Sequence, residues 1–278
     1  MDRAMRALKE LPPFSATLSR LMASLANDDV SLNELGDLVE KDTVVAGNIL
    51  GMVNSALYAR RSTVTSVRHA LSLLGTNKIR NVALSLQVAG MWNQSKCPQE
   101  LSIKRFNQHA AAVAMLSDLL TQHVDVVYPE GAFVAGLLHD VGRLTLALGL
   151  PQDFAQILEK HLQSGTPLVE CEADHLHFTH ATLSGQALTE WKLPDPIRVA
   201  VAGHHDPWAG PPSAIPLSPV VAAADRFINS VGLSTWSLAD EPEPDFSSFE
   251  MLGIQPEKAL ELARTFQSEF EVTAQFYR

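Results

Sequence analysis

Residues 131–143 read Gly131-Ala-Phe-Val-Ala-Gly-Leu-Leu-His-Asp-Val-Gly-Arg143. An apolar run without charge or strand alternation ends on an imidazole beside a carboxylate. The pattern is that of a buried helix that delivers His139 and Asp140 to one spot. A neutral imidazole and an ionised carboxylate can together ligate a divalent metal. The dipeptide alone decides little, because the chain carries a second one, His205-Asp206.

Outward from this run the punctuation is helical. Ser31-Leu-Asn-Glu34 is a capping box before Leu35, Leu38 and Val39. Asp42 can cap a helix with Val45, Ile49, Leu50 and Val53 on its apolar positions. Thr65 or Ser66 can start the next, Gly75 can stop it, and Thr76 can restart the chain into Ile79, Val82, Ala83 and Leu86. After residue 100, helices are expected near Lys104–His123, Pro129–His139, Asp153–Gln163, from Pro167, over His180–Trp191, from Pro196 to Ala202, over Ser218–Ser230 and from Pro256 to Glu271. Spacings of three and four prevail, and no strand alternation longer than four residues is evident. The fold class expected is all-α.

The polar stretch from Asn93 to Ser102 divides the chain. An N-terminal helical lobe is expected over 1–95 and a second lobe carrying the His/Asp residues over 96–278. Within the latter, 232–256 is acidic and rich in Pro and Ser, and is expected to be an exposed loop.

At 278 residues the chain suits one large domain or two lobes and needs no disulfide or metal merely to fold. Its net charge of -10, with Arg60-Arg61 as the densest basic spot, argues against a direct nucleic-acid partner. Cys97 and Cys171 show no metal or disulfide spacing and fit a reducing compartment. With no signal-peptide pattern and no stretch approaching the ~20 apolar residues of a membrane helix, a cytoplasmic location without a membrane partner is expected.

Nine of the ten histidines lie after residue 100. His109 sits in a helix with Ala111, Ala112, Met115 and Leu116 and by itself reads as a core histidine. His180 begins a helix, and His204-His205 end one. Asp225 follows the apolar Val220–Ala224, where a buried carboxylate wants a cation, either Arg226 or a metal. His69, His123, His161, His175 and His177 look incidental.

The order His109, His139-Asp140, His180, His204-His205, Asp225 resembles the HD superfamily of metal-dependent phosphohydrolases. Gly136-Leu-Leu-His-Asp-Val-Gly142, Ala187-Leu-Thr-Glu-Trp-Lys-Leu-Pro194 and the following His-His-Asp-Pro resemble its HDOD branch. So do Leu11-Pro-Pro-Phe, Lys41-Asp42, Asn54-Ser-Ala-Leu-Tyr58 and Val67-Arg-His-Ala-Leu-Ser-Leu-Leu-Gly75. The resemblance spans roughly residues 8–230. It implies a two-lobed helical HDOD fold with an HD-type metal-site lobe. It also implies that His109, His139, Asp140, His180, His204, His205 and Asp225 are the ligand set. One or two divalent transition-metal ions are then expected, and the His/carboxylate mix suits Fe, Mn, Zn or Ni.

Two functions follow from the resemblance. HDOD proteins are regarded as regulatory modules, which implies a signalling protein acting through a protein partner or a phosphorylated nucleotide. The alternative is a phosphohydrolase in which Asp140 bridges the ions and Arg143 stabilises phosphate charge. Two departures bear on the choice. Arg143 stands where catalytic HD proteins usually have lysine, and arginine cannot act as a proton donor. The segment His204-His-Asp-Pro-Trp-Ala-Gly-Pro-Pro212 lacks the Gly-Tyr-Pro of the cyclic-di-GMP phosphodiesterases.

Overall fold

The structure, a computed structural model, describes residues 6, 8, 11, 14–24, 31–55, 63–206, 208, 214–236 and 243–277. Among them every named element is helical, and Val126 with Ile215 forms an isolated bridge. The class is all-α. The motifs Leu11-Pro-Pro-Phe, Asn54–Tyr58 and His204–Pro212 fall partly outside the described residues, and Arg60-Arg61 wholly so.

The chain forms two compact units. One comprises Pro12–Gln94 with Thr265–Arg278, the other Ser95–Arg264 with Met1–Leu11. The chain passes between the units at 94/95, beside the expected division at 95/96, and residues 1–11 and 265–278 each group with the unit more distant in sequence.

The first unit holds α1 (Ala16–Ala23), α2 (Leu32–Glu40), α3 (Thr43–Val53), α4 (Val67–Leu74) and α5 (Thr76–Trp92). Its helix starts follow the capping chemistry of the sequence. Ser31 Oγ accepts from the Glu34 amide at 3.2 Å while Glu34 accepts from the Ser31 amide at 3.0 Å. Asp42 Oδ1 accepts from the Val44 and Val45 amides, both at 3.0 Å. Of the two candidate caps for α4, Ser66 is the one used. Gly75, at φ +83°, lets α4 turn directly into α5. Leu35, Ile49, Met52, Leu71, Ile79 and Leu84 fill the interior.

The second unit holds α6 (Ile103–Thr121), α7 (Ala132–Leu138), α8 (Val141–Gly149), α9 (Pro151–Ser164), α10 (Leu168–Leu176), α11 (His180–Glu190), α12 (Asp195–Ala202), α13 (Leu217–Ser230) and α14 (Ser247–Met251). A last helix, α15 (Pro256–Thr273), has residues in both units. Every residue of α7 is buried, and the helix lies among α6, α12 and α13. The close approach of α6 requires Gly136, since a Cβ there would fall 2.7 Å from Ala114 Cα.

Two expectations need correction. The stretch Pro129–Gly149 is long and apolar enough, by length and composition, to cross a membrane. Its most apolar window is 94% buried within the protein, and the helix breaks at His139-Asp140, so burial against α6 and α13 explains its composition. The region 232–256 is also not simply an exposed loop. Ser234, Thr235, Phe249, Leu252 and Ile254 are buried, and Ser247–Met251 is helical. Phe227 and Phe249, with ring centroids 5.0 Å apart, anchor that turn on α13. The acidic, proline-rich composition masked the few apolar residues that do the anchoring.

Candidate metal centre

Five elements deliver the predicted residues to one buried spot. His109 lies in the middle of α6, His139 and Asp140 at the break between α7 and α8, His180 at the first position of α11, His204 and His205 just beyond α12, and Asp225 on α13. His109, His139, Asp140, His180 and His204 are at most 1% exposed. Asp225 is buried as well, and His205 is the most open of the set. The break is what turns His139 and Asp140 together, because Asp140 leaves helical geometry at φ -99°, ψ 9°.

Four rings are held by their Nδ1 atoms. His109 Nδ1 faces the Leu233 carbonyl at 2.9 Å, His139 Nδ1 that of Gly136 at 2.7 Å, and His204 Nδ1 that of Val201 at 2.7 Å. His180 Nδ1 faces the carboxylate of Glu172 at 2.6 Å. These oxygens only accept, so each Nδ1 must donate. A neutral imidazole has a single N–H, so each Nε2 is left as a bare lone pair.

Those lone pairs point at one another. His109 Nε2 lies 3.3 Å from His139 Nε2, and His205 Nε2 lies 3.0 Å from His180 Nε2. For His109 and His139, whose Nδ1 atoms both donate elsewhere, two bare nitrogens at that separation repel unless a cation or proton lies between them. Asp140 divides its oxygens between the two pairs. Oδ2 is 3.7 Å from His109 Nε2 and 3.5 Å from His139 Nε2, whereas Oδ1 is 3.2 Å from His180 Nε2 and 3.9 Å from His204 Nε2. Asp225 Oδ1 sits 3.1 Å from His109 and 3.6 Å from His139.

The electrostatics follow from these neighbours. Burial opposes ionisation of Asp140, but Arg143 and His139 outweigh it and hold the carboxyl well below its usual range. Burial likewise opposes ionisation of Asp225, but the His109 and His139 imidazoles beside it prevail and hold the carboxyl well below its usual range. His139 is shifted upward: burial works against its charge, and Asp140 and Asp225 prevail. His204 and His205 go the other way, depressed by burial and then by neighbouring imidazoles, His205 to about 3.

Ligand atoms within 4.8 Å of one another form three sets: His109, His139 and Asp225; His180, His204 and His205; and His139, Asp140 and His204. Asp140 Oδ1 and His204 Nε2 are buried and make no hydrogen bond among the described residues. Unpartnered buried acceptors, facing lone pairs and ionised carboxylates all fit a cation at this position. All seven residues predicted as ligands are thus brought together.

Three features differ from the sequence reading or were absent from it. Arg226 is exposed and is not the partner of Asp225, which accepts from Asn229 Nδ2 at 2.7 Å. Arg143 is 7% exposed and directs Nη1 onto Asp140 Oδ2 at 2.6 Å. Glu172 went unnoticed, although it is 2% exposed and accepts from both the backbone and the ring of His180. The available signal was an acid eight residues before His180 in an amphipathic helix, too common a pattern to single out.

Beside the cluster opens a cavity of about 560 Å³, lined by His204, His205 and Asp225 and also by Trp208, Arg226 and Asn229. Its size is within the range of small-molecule sites.

The chain belongs to the HDOD domain family, whose sequence model matches residues 11–207. The match ends before Asp225 and most of the cavity wall. Among solved structures, an HDOD domain protein of unknown function from Geobacter sulfurreducens superimposes with a TM-score of 0.77 at 21% identity, over 99% of this chain and 96% of its own. A provisionally named phosphohydrolase from Shewanella amazonensis SB2B gives 0.75 at 20% identity, over 99% and 98% of the two chains. A provisionally named signal transduction protein from Marinobacter aquaeolei VT8 gives 0.76 at 22% identity, over 100% of this chain and 65% of its own. At these identities the likeness is one of fold. An uncharacterized protein of Treponema pallidum is 23% identical over 265 residues, 95% of this chain. The chain spans about half the length of that curated relative.

Proposed function

We propose that this protein is a regulatory module of the HDOD family, built around a divalent transition-metal centre, that binds a phosphorylated small ligand such as a nucleotide beside that centre. The observation that carries the reading is the shared wall: His204, His205 and Asp225 belong both to the cluster and to the adjoining cavity. His109, His139 and Asp225 would hold one ion, His180, His204 and His205 a second, and Asp140 has an oxygen facing each set. A bound divalent ion supplies Lewis acidity toward a phosphate oxygen and acidifies a bound water. Arg226 on the cavity wall offers a cation to an anionic ligand, and Trp208 offers an aromatic face to a flat one.

The regulatory reading is favoured over hydrolysis by the direction of Arg143. The side chain is buried against Asp140 and is not on the cavity wall, so it does not reach a ligand there. No other lysine or arginine besides Arg226 lines the cavity among the described residues. A metal-dependent phosphohydrolase is the second reading, supported by the open His205 edge that would give a phosphoryl group access.

Elemental analysis of protein purified without added metal tests the core of the proposal. One or two equivalents of Fe, Mn, Zn or Ni, lost in a His139→Ala/Asp140→Ala double variant, are expected. Protein that stays folded, contains no metal and cannot be loaded would refute it. Turnover of a generic phosphodiester with added Mn or Fe, abolished by Asp140→Ala, would select the second reading.

A further inference from the structure

The two ligand triads are not equivalent. The first, His109, His139 and Asp225, contains its own carboxylate. The second, His180, His204 and His205, is all imidazole and shares only Asp140 Oδ1, 3.2 Å from His180 Nε2. A divalent ion there would face one shared negative charge where the first position has a full charge of its own.

Glu172 lies where it can redress that imbalance. His109, His139 and His204 each direct Nδ1 at a neutral backbone carbonyl. His180 alone among the four directs it at a carboxylate, 2.6 Å away. The same oxygen, Oε2, also accepts from the His180 backbone amide at 2.7 Å, so ring and main chain are fixed by one atom. A carboxylate behind a metal-binding histidine fixes its tautomer and orientation and raises its basicity.

We infer that Glu172 is a positioning residue that makes His180 the strongest imidazole donor of the cluster and thereby sets the affinity of the second ion position. The inference rests on the metal-centre reading above. The first position fills at lower metal concentration, and the second fills later, with an affinity governed by Glu172. The second position contributes His204 and His205 to the cavity wall and the first only Asp225, so occupancy of the second changes more of that wall.

The test is calorimetric titration of chelator-stripped, full-length protein with Zn²⁺, and with Co²⁺ read by its visible absorption. Wild type should bind two ions in two resolved steps. Glu172→Gln, which keeps shape but removes charge, should weaken the second step about 10- to 100-fold and leave the first unchanged. Asp225→Asn should do the reverse, which keeps the inference testable if Glu172→Gln folds poorly. Equal weakening of both steps by either variant, no change in Glu172→Gln, or a single ion in wild type would overturn it. Wild type that binds no metal at all would instead refute the metal centre itself.

Discussion

Gly142 is the place where a single methyl group should disable the centre without touching a ligand. It follows the His139-Asp140 pair by two residues, on α8 against the start of α11. A Cβ added there would lie 2.0 Å from the His180 carbonyl oxygen, 2.8 Å from its carbon and 2.9 Å from the Ser184 amide nitrogen. Those atoms are backbone, so no side chain can swing aside. The first contact is about 1.4 Å short of ordinary van der Waals separation, and α8 and α11 must part by roughly that distance. Such overpacking costs about 1–3 kcal/mol. The Gly142 amide also donates to Ser184 Oγ at 2.8 Å, and that bond would be strained or lost, adding about 1 kcal/mol. The functional effect should be larger than the loss of stability suggests. Asp140 Oδ1 and His180 Nε2 sit 3.2 Å apart on the two elements being separated, and a site of this kind tolerates displacements of about 0.5 Å. Gly142→Ala should therefore lose about 2–4 kcal/mol of stability in urea unfolding, keep its helical circular dichroism, and fail to hold the ion proposed for His180, His204 and His205. A variant with wild-type stability and full metal content would show that α8 and α11 do not bind the centre between them as described.

Two further expectations address the charges. Arg143→Ala removes the guanidinium 2.6 Å from a buried carboxylate, so metal-free protein should lose about 3–5 kcal/mol in chemical denaturation. Metal-loaded protein should lose much less, since an ion can neutralise Asp140; equal losses in both forms would refute the role of Arg143 as internal counter-charge. Cys97 is half-buried, and burial pushes its thiol up to about 11. In a Cys171→Ala background at pH 8, alkylation by iodoacetamide should be about 100-fold slower than for a thiol of ordinary acidity, following the thiolate fraction. A rate matching that of a free peptide thiol would show Cys97 to be exposed to water.

The helices α2, α3 and α4 of the first unit were legible because their starts are written in local chemistry. Ser31 with Glu34, Asp42 and Ser66 each act within four residues, so sequence alone suffices. That these seven residues gather was legible for another reason: the order of imidazoles and carboxylates along the chain matches a family pattern. What the sequence hid is what depends on tertiary approach. The carbonyl of Leu233 fixes the ring of His109 from 124 residues away, inside a segment whose composition suggested solvent. Arg105 holds that segment down through the carbonyls of Ser234 and Trp236, at 3.3 and 2.8 Å, and a backbone carbonyl carries no residue signature at all. Glu172 was equally silent, because an acid on an amphipathic helix is ordinary until the fold buries it.

The position of Arg143 connects the departures from the family pattern into one physical argument. A lysine there could titrate or turn toward a ligand; arginine is permanently charged and carries a planar fork suited to a carboxylate. In this fold the fork lies on Asp140 Oδ2, the oxygen facing His109 and His139, and leaves Oδ1 unpartnered toward His180 and His204. A fixed cation on Asp140 Oδ2 and a carboxylate, Glu172, behind His180 place charges of opposite sign around the shared Asp140. The centre is thus arranged around Asp140 as a balance of charges, with no mobile proton donor on the cavity wall supplied by Arg143. A site that holds its charges in fixed positions is suited to binding and reporting a ligand, and that is the chemistry the proposed regulatory function requires.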